Sequence, residues 1–222
     1  LDEAEAFLPE RISALREAGH AAQADVEERL GLVLFGKDLA EAGDLLRAEV
    51  AAAADAPADV RADLLQTLGV ARLYEGGFAE AREDARTAAR LFVEAGEAVR
   101  AQGAQVLEVD AAASASLFDE AREVVAELLA SPLSDGRRAR VLAARARLQG
   151  GAGEFESGAA DADETVRLLL SLGADDLRVG EAFLLAGALH EDAGSASLAA
   201  GRYRSAAERF ESAGAPTAET RY

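Results

Sequence analysis

A short pattern recurs six times along these 222 residues: a large apolar residue, two positions that are often acidic, then Ala or Gly. The copies are Leu1-Asp2-Glu3-Ala4, Leu39-Ala40-Glu41-Ala42, Phe78-Ala79-Glu80-Ala81, Phe118-Asp119-Glu120-Ala121, Phe155-Glu156-Ser157-Gly158 and Leu198-Ala199-Ala200-Gly201. Successive copies lie 38, 39, 40, 37 and 43 residues apart. A near-constant period of this length marks a repeat architecture, whose units cannot bury their apolar faces alone and must stack.

Chain breaks punctuate the period. Gly36, Gly76-Gly77, the Gly150-Gly151-Ala152-Gly153 stretch and Gly194 each precede a copy. A second set falls 13 to 18 residues after each copy begins, at Gly19, Asp55-Ala56-Pro57, Gly96, Ser131-Pro132, Gly173 and Gly214. Glycine ends helices because it adopts the left-handed conformation without a Cβ clash. Pro57 and Pro132 suit the first turn of a following helix, where a missing N–H costs nothing. Ser131, Ser134 and Ser195 suit N-caps. Pro9 is expected to kink the first helix.

Composition decides what lies between the breaks. About a quarter of the chain is Ala, and only 5% is aromatic. Ala, Leu, Arg and Glu form helices readily, whereas strands favour the β-branched and aromatic residues that are scarce here. Apolar residues recur at three- and four-residue spacing, as in Leu64, Leu65, Leu68 and Ala71. The expected fold is therefore all-α: about eleven helices stacked as antiparallel pairs. The expected units are 1–19, 20–56, 57–96, 97–132, 133–173 and 174–214, with 215–222 a stub of the next. The excess of Ala, Arg, Gly and Leu over Lys, Ile and Asn points to a GC-rich bacterial genome.

The stretch from Leu68 to Ala81, with Leu68, Gly69, Gly76, Phe78 and Ala81, followed by Ala88, resembles the tetratricopeptide repeat. Leu30-Gly31 with Leu39 and Ala42 matches it more loosely, as do Gly187, Gly194, Leu198 and Gly201. The resemblance implies a right-handed α-solenoid whose first helices present a concave, partner-binding face. Units near 39 residues exceed the family's usual length and imply longer helices.

Chemistry-bearing motifs are few. There is no Cys, which removes disulfides, thiolate nucleophiles and cysteine metal sites. Two His, His20 and His190, cannot build a multi-histidine metal site, and His190 lacks the second histidine of a zinc-protease helix. The Gly150–Gly153 stretch lacks the following Lys of a phosphate loop. No serine sits in a strand–turn–helix elbow. No catalytic, metal or cofactor-binding residue is assigned, and no enzymatic activity is expected. With 41 Asp+Glu against 23 Lys+Arg, the net charge of -18 argues against nucleic acid as a direct partner. No apolar run is long enough to span a bilayer, and a cytoplasmic location is expected.

Registering each unit on the repeat places Asp25, Glu28, Leu32 and Phe35 on the concave face. It adds Asp63, Gln66, Val70 and Tyr74, then Val106 and Asp110, then Arg140 and Arg147, and finally Glu181, Leu184, Ala188 and Glu191. That face is acidic at both ends with arginines between, and Phe35 and Tyr74 are its aromatic anchors. The expected function is a protein-interaction scaffold for a protein or peptide segment of basic or amphipathic character. The alternative is a sensor or regulatory arm of a larger bacterial signalling protein, such as a transcription activator or a caspase-like peptidase.

Overall fold

The computed structural model describes residues 39–214 together with Ser13, Arg16, Glu17 and Glu28. Among the described residues there are nine helices and no strand. They are α1 (Leu39–Ala52), α2 (Ala58–Glu75), α3 (Phe78–Glu94), α4 (Ala98–Ser114), α5 (Phe118–Ala130), α6 (Asp135–Gly151), α7 (Phe155–Ser171), α8 (Asp176–Asp192) and α9 (Ala196–Ser212). The helix count is thus nine rather than about eleven; the other helices expected, the Pro9 kink and the stub at 215–222 lie outside the described residues.

The repeated motif opens helices. Leu39, Phe78, Phe118 and Phe155 are first residues of α1, α3, α5 and α7, and Leu198 lies two residues into α9. Glycine breaks end α2, α3, α6, α7 and α8. Gly76, Gly96, Gly153, Gly173 and Gly194 all have positive φ, between 62° and 84°. At each one the next residue's N–H reaches back to the last turn, as Gly77 N donates to Arg72 O at 2.8 Å and Ser195 N to His190 O at 2.8 Å. That satisfies carbonyls the helix would otherwise leave open.

Some local expectations are corrected. Gly150 and Gly151 belong to α6 rather than to a loop; only Gly153 takes the left-handed turn. Pro57 sits at the N-cap of α2, and Pro132 lies outside α6, ahead of its N-cap Ser134. Neither proline occupies a first helical turn. Ser134 and Ser195 hold N-cap positions, but neither side chain bonds the backbone there. Ser131 is the C-cap of α5 and donates to Leu128 O at 2.7 Å. A side-chain cap does form at Asp175, which accepts from Arg178 N at 2.9 Å.

The contacts divide the chain into two compact units, 1–115 and 116–222. In the first, α2 packs on α1, α3 and α4, and α3 packs on α4. Ala62, Ala88, Leu91, Phe92, Ala101 and Ala104 form one core there, and Leu46, Leu68 and Ala71 another. In the second unit, α5 packs on α6, α6 on α7, α7 on α8 and α8 on α9. Its main core gathers Leu142, Val166, Leu168, Leu169, Val179, Phe183 and Phe210.

Small residues allow the helices to meet. A Cβ on Gly69 would sit 3.2 Å from Ala81 O and 3.2 Å from Leu107 Cδ2. A Cβ on Gly187 would come within 2.7 Å of the Tyr203 ring. Alanines at the same interfaces, such as Ala81, Ala88 and Ala104, are wholly buried. Each large side chain that does enter, such as the fully buried Phe92, contributes about 1.5–3 kcal/mol of apolar burial.

Candidate functional site

Burial separates structural ion pairs from charged groups available to a partner. Among the described residues the buried carboxylates are Asp84, Glu108 and Asp161, and each holds an arginine. Arg72 Nη1 donates to Asp84 Oδ2 at 2.6 Å, and Arg86 Nε to Glu108 Oε1 at 2.9 Å. Arg145 grips Asp161 with Nε and Nη2, at 2.5 and 2.7 Å. These pairs bridge neighbouring helices and satisfy charges that burial alone would penalise.

Asp84 still feels its burial: desolvation pushes its carboxyl up to about 6, against the pull of the Arg72 guanidinium. Asp163 goes the other way. Burial pushes it up, but hydrogen bonds from Arg202 and His190 outweigh that and hold it below the usual carboxylate value. Arg202 Nε lies 2.8 Å from Asp163 Oδ1, and His190 Nε2 lies 3.1 Å from Oδ2. His190 is itself buried, so this cluster ties α7, α8 and α9 together. His20 lies outside the described residues.

In the first unit the residues expected on the partner face spread out. Asp63 is partly buried in an ion pair with Arg100, whose guanidinium also stacks 4.4 Å above the Phe92 ring. The pair joins α2 to α4 and leaves Asp63 already engaged. Gln66 lies beside Gly103 of α4, and Tyr74 is 67% exposed. Asp110 is half-buried on α4, but Val106 is buried and belongs to the core. Glu28 is exposed and pairs with Arg16 at 2.6 Å. Asp25, Leu32 and Phe35 lie outside the described residues.

In the second unit the corresponding residues converge. Arg140, Ala143 and Arg147 are spaced three and four residues apart on α6 and share one face. Arg178, Glu181 and Leu185 repeat that spacing on α8. Between the two stripes is a concavity of about 270 Å³, with Thr165 and Leu169 of α7 behind it. Ala139, Ala143, Ala182, Leu169 and Leu185 make its surface apolar, and three guanidiniums and one carboxylate stand around it. Arg140, Arg147 and Glu181 were expected on this face; Arg178 was not. Its signal was available, because it precedes Glu181 by three residues and so shares its helix face. Glu191 stays exposed, accepts from the Tyr203 hydroxyl at 2.6 Å, and is not part of the lining. Leu184 and Ala188 are exposed and likewise stand apart from it.

Among the described residues no helix is long and apolar enough to cross a membrane. No protein-family model and no curated protein sequence matches the chain. Solved structures do. The crystal structure of BtubC (BKLC) from P. vanneervenii superposes with a TM-score of 0.64 at 17% identity, over 96% of this chain and 87% of that one. A second match, MamA MSR-1 C2, has a TM-score of 0.46 at 17% identity, over 84% of this chain and 95% of that one. At 17% identity the likeness to BtubC is one of fold.

Proposed function

We propose that this chain is a non-enzymatic protein-interaction scaffold, built from helix pairs of the tetratricopeptide type, that receives a segment of a protein partner on its first-helix face. The observation that carries the reading is the concavity between α6 and α8. Residues registered from the repeat alone, Arg140, Arg147 and Glu181, meet there around an apolar surface. Charged groups around an apolar patch are what a partner segment needs for orientation and for affinity. The three buried carboxylates, by contrast, are spent on holding helices together.

The test is crosslinking mass spectrometry on the full chain in lysate of its source organism. Wild type is compared with Ala143→Trp, which fills the concavity from its half-buried lining. Crosslinks from a partner protein to the α6–α8 face, lost in A143W while the helical circular dichroism is kept, are the expected outcome. Crosslinks that ignore A143W, or none on that face, contradict the reading.

A further inference from the structure

The concavity's charge runs against the charge of the chain. The whole sequence carries -18, yet three guanidiniums, Arg140, Arg147 and Arg178, surround this one hollow against the single carboxylate of Glu181. Several other arginines of the second unit find carboxylates at close range: Arg122 with Glu154 at 2.7 Å, Arg145 with Asp161, Arg202 with Asp163, and Arg209 with Asp176 at 2.6 Å. Among the described residues Arg140 and Arg178 form no such ion pair, and both are exposed at the rim. They stand on different helices and flank the same apolar surface.

The volume restricts what enters. At about 270 Å³ the hollow lies just below the size range of sites that enclose a whole small molecule. It suits one apolar side chain of a longer segment, with neighbouring residues of that segment at the arginine rim. Guanidinium forks favour carboxylates in paired geometry, and exposed ones give up little hydration to do so. On the scaffold reading, from which this step follows, we infer that the partner segment is acidic: an apolar side chain set in the hollow, flanked by Asp or Glu that engage Arg140 and Arg178. This departs from the basic partner that the overall charge suggests. Two carboxylates that supported that expectation are engaged inside the chain, Asp63 by Arg100 and Glu191 by Tyr203.

The probe is a random 12-residue peptide library displayed on phage, selected on the full chain and in parallel on Arg140→Glu/Arg178→Glu. Both substituted positions are exposed, so the variant is expected to keep its helical circular dichroism. Peptides enriched on wild type should place Asp or Glu beside one large apolar residue. Their affinity should fall about tenfold or more in R140E/R178E and weaken with added salt. Enriched peptides that are basic or uncharged, or that bind the reversed variant equally well, overturn the acidic assignment and leave the scaffold reading standing. No enrichment on either protein overturns both.

Discussion

Arg145 and Asp161 are locked in a two-pronged ion pair, Nε to Oδ2 at 2.5 Å and Nη2 to Oδ1 at 2.7 Å, between α6 and α7. Asp161 occupies the position six residues after the motif's Phe155, and Asp84, which pairs with Arg72, lies six residues after Phe78. The two units therefore use the same second-helix position to anchor a first-helix arginine. Removing only the acid, as Asp161→Ala, leaves Arg145 partly buried without its partner and should cost about 1–3 kcal/mol. Arg145→Met/Asp161→Ala should recover part of that loss. Urea denaturation of the four proteins in the cycle measures it, and strict additivity would show that the pair is not coupled.

Asp84 and Asp163 should pull stability in opposite directions as pH changes. Asp84 is raised to about 6 in the fold, so its contribution is present below the ordinary carboxylate value and is lost as pH rises through about 6. Asp84→Asn removes that loss. The stability of D84N relative to wild type should rise by about 1–3 kcal/mol between about pH 4 and pH 7. Thermal unfolding across that range reads it, and a constant difference would place Asp84 in a well-solvated pair.

Asp163 is held low, so its contribution is present above the ordinary carboxylate value and is lost as pH falls through the lowered one. Asp163→Asn should therefore cost stability at neutral pH and cost progressively less in acid. A penalty that grows on acidification would contradict the Arg202–Asp163–His190 arrangement.

Gly187 meets the face of Tyr203, where a Cβ would lie 2.7 Å from the ring. Gly187→Ala should destabilise by about 1–3 kcal/mol, even though alanine is the better helix former. Adding Tyr203→Ala removes the ring, so the alanine at position 187 should add no further cost in that background. Melting temperatures of the single and double variants test this, and a stabilising G187A would mean that the ring yields without cost.

Ser116 has φ of 61°, the left-handed conformation that glycine takes at the ends of α2, α3, α6, α7, α8 and α9. Ser116→Gly should stabilise by about 1 kcal/mol, since glycine removes the steric penalty. Chemical denaturation decides it, and a destabilised variant would show that the serine side chain contributes more than the strain costs.

Much of the fold was legible because helix starts and stops rest on local chemistry. The motif residues Phe78, Phe118 and Phe155 and the glycines at 76, 96, 153, 173 and 194 mark the ends directly. Ser116 escaped notice because nothing in its residue type demands a positive φ. Gly150 and Gly151 misled for the opposite reason: both lie inside α6, where a Cβ on Gly150 would strike Leu189 Cδ2 at 2.6 Å. Glycine signals close approach as well as a turn. The site was less legible. Arg140, Arg147 and Glu181 followed from helix periodicity, but the engagement of Asp63 by Arg100 joins residues 37 positions apart. That separation is about one repeat length, as is the 39 between Asp163 and Arg202. An acid and an arginine one period apart was the available signal.

The most direct test of the scaffold account is site-specific photocrosslinking in cells. A benzoylphenylalanine residue is placed at Ala143, which lines the α6–α8 concavity, or at Ala160, which is exposed on α7 outside that lining. The account predicts a discrete protein adduct from position 143 and none from position 160. Equal adducts from both positions, or an adduct from 160 alone, would contradict it.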